Sequence, residues 1–470
     1  MTSSNARRAL FALLCLLAAV SGAAQDEAPS VLAPLSDGSV LEIGDRRLDP
    51  AVPSPAEFLG YPLGSRFTRY ERALDYFEAL AAASDRVALE RYGTTYEDRP
   101  LVLLVIGRPD RIAALDDVRR RHLELADPAG LRQEELSRRL EDEPVVVWLG
   151  YGIHGNESSS AEAAMATAYL VAAGQGETAG WLDDMLVLID PLSNPDGRER
   201  YVTGFEQRRG RVPDADPDAA EHWEPWPGGR QNHYMIDLNR DWAWASQRET
   251  RERLRAYRRW EPQVYVDLHE MSRRSTYFFP PSAEPVHARI TAPVIGWLEE
   301  FGRGNARAFD ARGFLFYKAE SFDLFYPGYG DSYPALRGAV GMTYEMAGGG
   351  RAGQTVRLAD GRMLTLADRV ARHLTASMAT LETAAGNASG LLRDFVQSRR
   401  PELQGPVSTF LWSPLQGEAA PLAELLAFHG IEVRQLGETR DLAAVRLDDG
   451  GTRRLTSFPA GTYAVSSRQP

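Results

Sequence analysis

Histidine and acidic residues follow predicted buried strands, where they could bind a metal ion. His154 and Glu157 lie three residues apart, just after the apolar run 144–149, and His269 follows a second apolar run, 264–268. A close imidazole–carboxylate pair with a distant third ligand is the usual construction of a catalytic zinc site that keeps an open position. A His-x-x-Glu pair often occurs by chance. The prediction of a metal site therefore depends on the position of these residues at the ends of predicted buried strands.

Two further groups of polar residues extend this pattern. Arg230 precedes an Asp-Leu-Asn-Arg-Asp sequence at 237–241, and Glu345 ends the apolar run 341–345. Four chemically apt groups, most of them at strand ends, favour one shared site more strongly than any single motif does.

The elements that must position these residues alternate between strands and helices. Apolar, β-branched runs at 144–149, 185–190 and 264–268 predict strands that are buried on both faces. Apolar residues at helical spacing predict helices at 160–173, 246–260, 285–309 and 367–393. This alternation favours an α/β fold with a mixed, largely parallel central sheet flanked by helices. In such sheets the active site gathers beyond the carboxyl ends of the strands.

These motifs resemble those of the zinc carboxypeptidases. The resemblance rests on His-Gly-Asn-Glu at 154–157, Asp-Leu-Asn-Arg at 237–240 and the histidine at the end of the 264–268 run, in the order that the family has them. It covers roughly residues 67–391. It implies a carboxypeptidase-like fold and one zinc ion, Zn²⁺, per chain.

The resemblance also implies a role for each residue of the predicted metal site. His154, Glu157 and His269 match the zinc ligands of the family. Asp237 matches the carboxylate that orients the first histidine from outside the metal's own ligand set. Glu345 matches the general base that activates water.

Other matches place residues around a substrate. Asn239 and Arg240 match the pair that grips the terminal carboxylate, a role that suits the planar fork of arginine. Arg230 matches the arginine that stabilises the developing oxyanion.

A tyrosine-rich stretch supplies the predicted cap of the substrate. Tyr326 matches the mobile capping tyrosine of the family, with Tyr329 and Tyr333 as close alternatives. Tyr333 also falls near the position that sets side-chain specificity, so we predict that it contacts substrate. An aromatic residue there favours an apolar or aromatic C-terminal residue, whereas nearby Asp331 favours a basic one, and the sequence leaves both open.

The implied function is that of an exported zinc metallocarboxypeptidase, a hydrolase whose partners are peptide or protein C-termini. One alternative is a zinc amidohydrolase of the same fold that acts on cell-wall peptides or acyl-amino acids. Another is a non-catalytic binding protein, which would require a missing base or metal ligand, and none is missing.

Composition narrows the remaining classes of function. The 470-residue chain has a formal net charge of -12, which argues against nucleic-acid binding through a basic face. Its one cysteine, Cys15, lies in an N-terminal apolar stretch, so a mature chain without that stretch has no disulfide or thiol chemistry. Lys318 is the only lysine, which disfavours Schiff-base catalysis.

The N-terminus predicts export. Arg7 and Arg8 precede the apolar run 9–20, and small residues follow at 21–24. This pattern is typical of a cleaved signal peptide and is too short to span a bilayer comfortably. We therefore expect a periplasmic or extracellular protein with no membrane span in its mature form.

The chain divides into four predicted parts: a signal peptide at 1–24, a loosely structured lead-in at 25–66, the catalytic domain at 67–398 and a C-terminal α/β segment at 401–470. The last part starts a new strand–helix pattern, and we expect an appended module or an incomplete unit. The sequence indicates no partner for it. Because it carries none of the motif residues, it is predicted to be dispensable for hydrolysis.

Overall fold

A computed structural model describes residues 30–41, 47–129, 131–400, 408–445 and 453–469. The predicted signal peptide lies outside these residues. Within them, no helix combines the length and the apolar character that crossing a membrane requires.

A mixed seven-stranded sheet forms the centre of the catalytic domain. Its strands in chain order are β1 (Val87–Thr94), β2 (Pro100–Ile106), β3 (Val145–Tyr151), β4 (Met185–Asp190), β5 (Val264–Ser272), β6 (Tyr277–Phe278) and, after two short strands, β9 (Val340–Gly348). The spatial order is β1-β2-β4-β3-β5-β9-β6. The central strands β4, β3, β5 and β9 are parallel, and the pairs toward both edges are antiparallel. The predicted fold class is confirmed.

Helices cover both faces of this sheet. They are α1 (Pro55–Leu59), α2 (Tyr70–Ala83), α3 (Pro109–Ala113), α4 (Leu115–Ala126), α5 (Gln133–Glu141), α6 (Ser159–Ala173), α7 (Glu177–Trp181), α8 (Pro195–Arg208), α9 (Arg248–Trp260), α10 (Ala292–Asp310), α11 (Ser332–Leu336), α12 (Leu366–Gly386) and α13 (Ala388–Ser398). Along β3, Val147 and Leu149 join one hydrophobic cluster, whereas Val146 and Trp148 join the other. The alternation of side chains along a strand thus supplies two cores, one on each face.

The order in which strands are added to the sheet reverses at β3, and this reversal places the predicted metal ligands in one crevice. Strand β4 pairs with one side of β3, and β5 pairs with the other. A parallel sheet opens between neighbouring strands at such a point, and ligands bind outside their carboxyl ends. Strands β5 and β9 run further than predicted because they pair with each other over nine residues, in a register that sets His269 opposite Glu345.

Short strands complete the description of the chain. They are β7 (Ala283–Val286), β8 (Asp323–Leu324), β10 (Thr355–Arg357), β11 (Met363–Thr365), β12 (Thr409–Trp412), β13 (Arg434–Gln435), β14 (Arg440–Val445), β15 (Arg453–Phe458) and β16 (Tyr463–Ser466). The helix predicted at 285–309 begins only at Ala292, because the preceding residues pair as β7 with β8. The helix predicted at 367–393 is divided at Asn387, which ends α12 and precedes α13.

The lead-in differs most from its prediction. Its described part is not loosely structured, because Leu32, Val52 and Leu63 are buried in the larger hydrophobic cluster. Ala33 N donates to Leu63 O, and Ser54 caps α1 through a reciprocal capping box. Pro, Asp and Gly in this region therefore form turns between residues that are buried against the catalytic domain.

The C-terminal segment, residues 408–445 and 453–469, combines one helix with antiparallel strands. Helix α14 (Ala419–Phe428) accompanies the sheet β12-β16-β13 and the hairpin β14–β15.

Candidate active site

Two imidazoles and one carboxylate converge in the crevice between β3 and β5. His154 Nδ1 lies 2.8 Å from Glu157 Oε1, and His269 Nδ1 lies 2.9 Å from Glu157 Oε2. The two Nδ1 atoms are 3.2 Å apart. Two nitrogens that bind one tetrahedral zinc at about 2.0–2.1 Å are separated by roughly 3.3 Å. The arrangement therefore fits a single zinc ion, and these three residues form the group with metal-ligand potential among the described residues.

A carboxylate lies behind each imidazole of the site. His154 Nε2 lies 2.8 Å from Asp237 Oδ1, and His269 Nε2 lies 2.8 Å from Asp267 Oδ2. A hydrogen on His154 Nε2, donated to Asp237, leaves the lone pair of His154 Nδ1 free for a metal. Sequence analysis predicted Asp237 but missed Asp267. The i, i+2 spacing could have identified Asp267, because it puts Asp267 and His269 on one face of a strand.

A backbone N–H and a buried ion pair hold the Glu157 carboxylate in place. Glu270 N donates to Glu157 Oε2 at 2.9 Å. The Glu270 carboxylate is bound by Arg369 Nη1 at 2.9 and 3.0 Å and accepts from Ser159 N at the start of α6. Glu270 thus connects β5 with α6, whose first residues follow the Glu157 loop.

Glu345 stands beside the metal group, and no described residue forms an ion pair with it. One of its carboxylate oxygens, Oε2, is buried and accepts no hydrogen bond from the described residues. Burial raises the pKa of Glu345 to about 8, and Glu157 adds to the rise, while His269 and Arg230 oppose it. A divalent cation in the adjacent site would favour the ionised form.

Arg230 joins the two carboxylates of the site. Its Nη1 donates to Glu157 Oε1 at 2.9 Å, and its Nε donates to Asp237 Oδ2 at 3.1 Å. Burial would raise the pKa of Asp237, but the hydrogen bond from His154 and the charges of His154 and Arg230 hold that pKa below its ordinary value.

Asn239 and Arg240 lie next to the metal group on a short helical turn. The amide nitrogen of Asn239 lies 3.0 Å from His269 Nε2, and its oxygen accepts from Gly330 N at 2.7 Å. The Arg240 guanidinium lies over the Tyr329 ring at 4.6 Å. It is exposed, and it forms no ion pair within the described chain.

The three tyrosines of the predicted capping stretch occupy different environments. Tyr329 lines the cavity. Tyr326 is at its margin, where its hydroxyl accepts from Trp244 Nε1 at 2.6 Å. Tyr333 is buried away from the cavity, and its hydroxyl donates to His429 Nδ1 at 2.8 Å.

The prediction that Tyr333 contacts substrate is therefore wrong. Tyr333 lies in the short helix α11, just after Asp331, and its ring packs into the buried hydrophobic cluster that contains Trp148 and Trp242. Tyr333 therefore gives no support for a preference for an apolar C-terminal residue in the substrate. Asp331 does line the cavity, although its oxygens already accept from Ser332 and from Thr343 Oγ1.

A single cavity of about 370 Å³ unites the site. The predicted residues that line it are His154, Glu157, Arg230, Asn239, Arg240, His269, Tyr329 and Glu345. Sequence analysis missed Met271, Phe322 and Asp323, which also line it and which carry no motif.

Comparison with known families agrees with this geometry. The profile of peptidase M14, zinc carboxypeptidase, matches residues 73–355, which is more than half of the chain. The chain belongs to the zinc carboxypeptidase family. The protein is therefore a zinc metallopeptidase, and His154, Glu157 and His269 form the group that could hold the ion.

Solved structures of metallocarboxypeptidases resemble this one, although the similarity is distant. The metallo-carboxypeptidase from Burkholderia cenocepacia has a TM-score of 0.47 and 17% identity over 68% of this chain and 70% of that one. Carboxypeptidase A from Helicoverpa armigera has a TM-score of 0.44 and 15% identity over 72% and 76%. The Pseudomonas aeruginosa metallo-carboxypeptidase in complex with (2-guanidinoethylmercapto)succinic acid has a TM-score of 0.44 and 15% identity over 68% and 69%. No curated protein matches the chain.

Proposed function

We propose that this metallocarboxypeptidase removes the C-terminal residue from peptides or proteins, with Glu345 as the general base. The observation that carries the proposal is Arg240, which lines the same cavity as the metal group and has no carboxylate partner in the described chain. A free substrate carboxylate is the partner that its planar fork matches. Asn239, fixed by Gly330, offers an amide beside it.

His154, Glu157 and His269 would hold the zinc ion. When bound, zinc supplies a Lewis acid that polarises a carbonyl oxygen and makes water acidic. All three residues line the cavity, so a substrate carbonyl in the cavity could reach an ion that they held.

The chain's own residues divide the remaining work. Glu345 takes the proton of the attacking water and returns it to the leaving amine, and its unpartnered Oε2 is available for both transfers. Arg230 uses its Nε and one hydrogen each from Nη1 and Nη2 for Glu157 and Asp237. Because arginine has five N–H donors, two remain to bind the carbonyl oxygen as negative charge develops on it.

Competing substrates test this proposal against the amidohydrolase alternative. The purified enzyme would be given unmodified peptides, cell-wall peptide fragments and N-acyl amino acids, and kcat/KM would be measured for each. The proposal expects the unmodified peptides to have the highest kcat/KM of the three classes. A preference for cell-wall fragments or acyl-amino acids would contradict it.

We also infer that the protein is exported. The support is the charged, apolar and small-residue pattern of residues 1–24. Mass spectrometry of the protein from its native cells should show a mature N-terminus near Gln25. Retention of residues 1–24 on the cytoplasmic protein would contradict export.

A further inference from the structure

The C-terminal segment packs against the catalytic domain through one end of its helix. Leu425 and Phe428 of α14 cover the hydrophobic cluster that contains Trp242 and Tyr333. The Arg251 guanidinium of α9 lies over the Phe428 ring at 4.2 Å. This contact brings the residue after α14, His429, against the catalytic domain, where it is 7% exposed.

His429 forms hydrogen bonds from both ring nitrogens to the catalytic domain. Its Nε2 lies 3.0 Å from Ala243 O, and its Nδ1 lies 2.8 Å from the Tyr333 hydroxyl. A carbonyl oxygen can only accept, so Nε2 carries the hydrogen and Nδ1 accepts from Tyr333. Arg337 Nη1 additionally donates to the backbone oxygen of His429 at 3.1 Å.

One partner of the ring, Ala243, lies in a part of the chain that carries substrate residues, and the other, Tyr333, lies just after a second such part. We name residues 237–247 the first substrate loop and residues 326–331 the second. Ala243 follows Arg240 by three residues on the first loop. Tyr333 lies one helical turn after Tyr329 of the second loop. The backbone N of Tyr333 donates to Tyr329 O at 3.1 Å.

The two substrate loops also hold each other. Trp242 N donates to Gly328 O at 3.3 Å, and Gly330 N donates to the Asn239 side chain at 2.7 Å. The Trp242 and Tyr333 rings pack with their centroids 5.5 Å apart. The His429 ring therefore binds to a unit in which the Arg240 and Tyr329 side chains are already stacked.

We propose that His429 is a positioning residue, supplied by the C-terminal segment, that fixes the two substrate loops for binding of the terminal carboxylate. It touches no substrate and acts through Ala243 and Tyr333. The inference rests on the proposed function, since the loops carry the proposed carboxylate site. It reverses the prediction that this segment is dispensable for hydrolysis.

Substitution of His429 tests the proposal in the full-length zinc enzyme. His429→Ala removes both side-chain hydrogen bonds, and we expect KM for a free-acid peptide to rise about tenfold with kcat within about twofold, the pattern of lost binding rather than lost chemistry. His429→Gln restores one donor and one acceptor and should recover most of the loss. Val465→Ala, a truncation of a buried residue in the same segment, is the matched control and should behave as wild type.

A second readout requires no substrate and separates this inference from the proposed function. Hydrogen exchange of peptides that cover 237–247 and 326–336 should become faster in His429→Ala and return toward the wild-type rate in His429→Gln. Unchanged KM together with unchanged exchange in His429→Ala would overturn the positioning role. A wild-type enzyme that fails to release C-terminal residues would refute the proposed function instead, while the exchange data would still decide whether His429 fixes the loops.

Discussion

Amidation of the substrate C-terminus is a direct perturbation of the proposed carboxylate site. It removes the negative charge that Arg240 is proposed to bind and leaves the rest of the peptide unchanged. A hydrogen bond to a charged group contributes about 1.5–3 kcal/mol, which corresponds to a factor of about 10–150. Because Arg240 is exposed before substrate binds, solvent screening places the effect in the lower part of that range, about tenfold to thirtyfold.

The assay compares kcat/KM for one peptide in free-acid and amidated form. Wild type should prefer the free acid about tenfold to thirtyfold, and Arg240→Ala should bring the ratio close to one by slowing the free acid alone. Arg240→Lys should recover only part of the preference, because lysine lacks the planar fork.

Arg248→Ala is the matched control for this experiment. Arg248 lies over the Tyr96 ring at 4.8 Å, much as Arg240 lies over Tyr329 at 4.6 Å, but it does not line the cavity. Its removal should leave the free-acid preference intact. Equal rates for the two peptides in wild type, or an equal loss of preference in Arg248→Ala, would refute the assignment of Arg240.

Four other substitutions, one of them with a matched control variant, test the metal site and its support. His269→Ala should abolish stoichiometric zinc by elemental analysis, whereas His287→Ala, a histidine outside the site, should retain it. Asp267→Asn should weaken zinc binding about 10–100-fold in a chelator competition, and an unchanged affinity would show that Asp267 does not orient its histidine. Glu345→Gln should keep its zinc but lower kcat by about 10²–10⁴, so a loss of only a few-fold would reject it as the base. Arg369→Met leaves a buried carboxylate unpaired and should lower the free energy of unfolding in urea by about 3–5 kcal/mol; a change below about 1 kcal/mol would contradict the buried pair.

The sequence predicted the residues that follow buried strands better than those positioned by helices or by distant segments. Strand β3 reads as a continuous apolar run, so the strand end that precedes His154 and Glu157 could be located without the structure. Asp267 was missed because its role depends on β5 continuing through His269, and that extension comes from pairing with β9.

Tyr333 illustrates the opposite limit. Counting residues from Tyr326 placed it near the substrate, but a single turn of helix α11 carries its ring into a buried hydrophobic cluster. His429 could not be predicted to contact it at all, since the two residues are 96 positions apart and no local pattern links them. Sequence spacing thus predicts chemistry within one motif, whereas contacts between segments depend on packing.

The proposed function is the hydrolysis of peptides from their free C-terminus by this zinc enzyme. Its most direct test is a time course of one peptide of defined sequence, digested by the zinc-loaded enzyme and followed by mass spectrometry. The proposed function predicts that the first product is the peptide shortened by its single C-terminal residue, that no internal fragments form, and that a chelator stops the reaction until zinc is added back. Internal fragments, shortening from the N-terminus, or an unchanged rate after complete removal of zinc would contradict it.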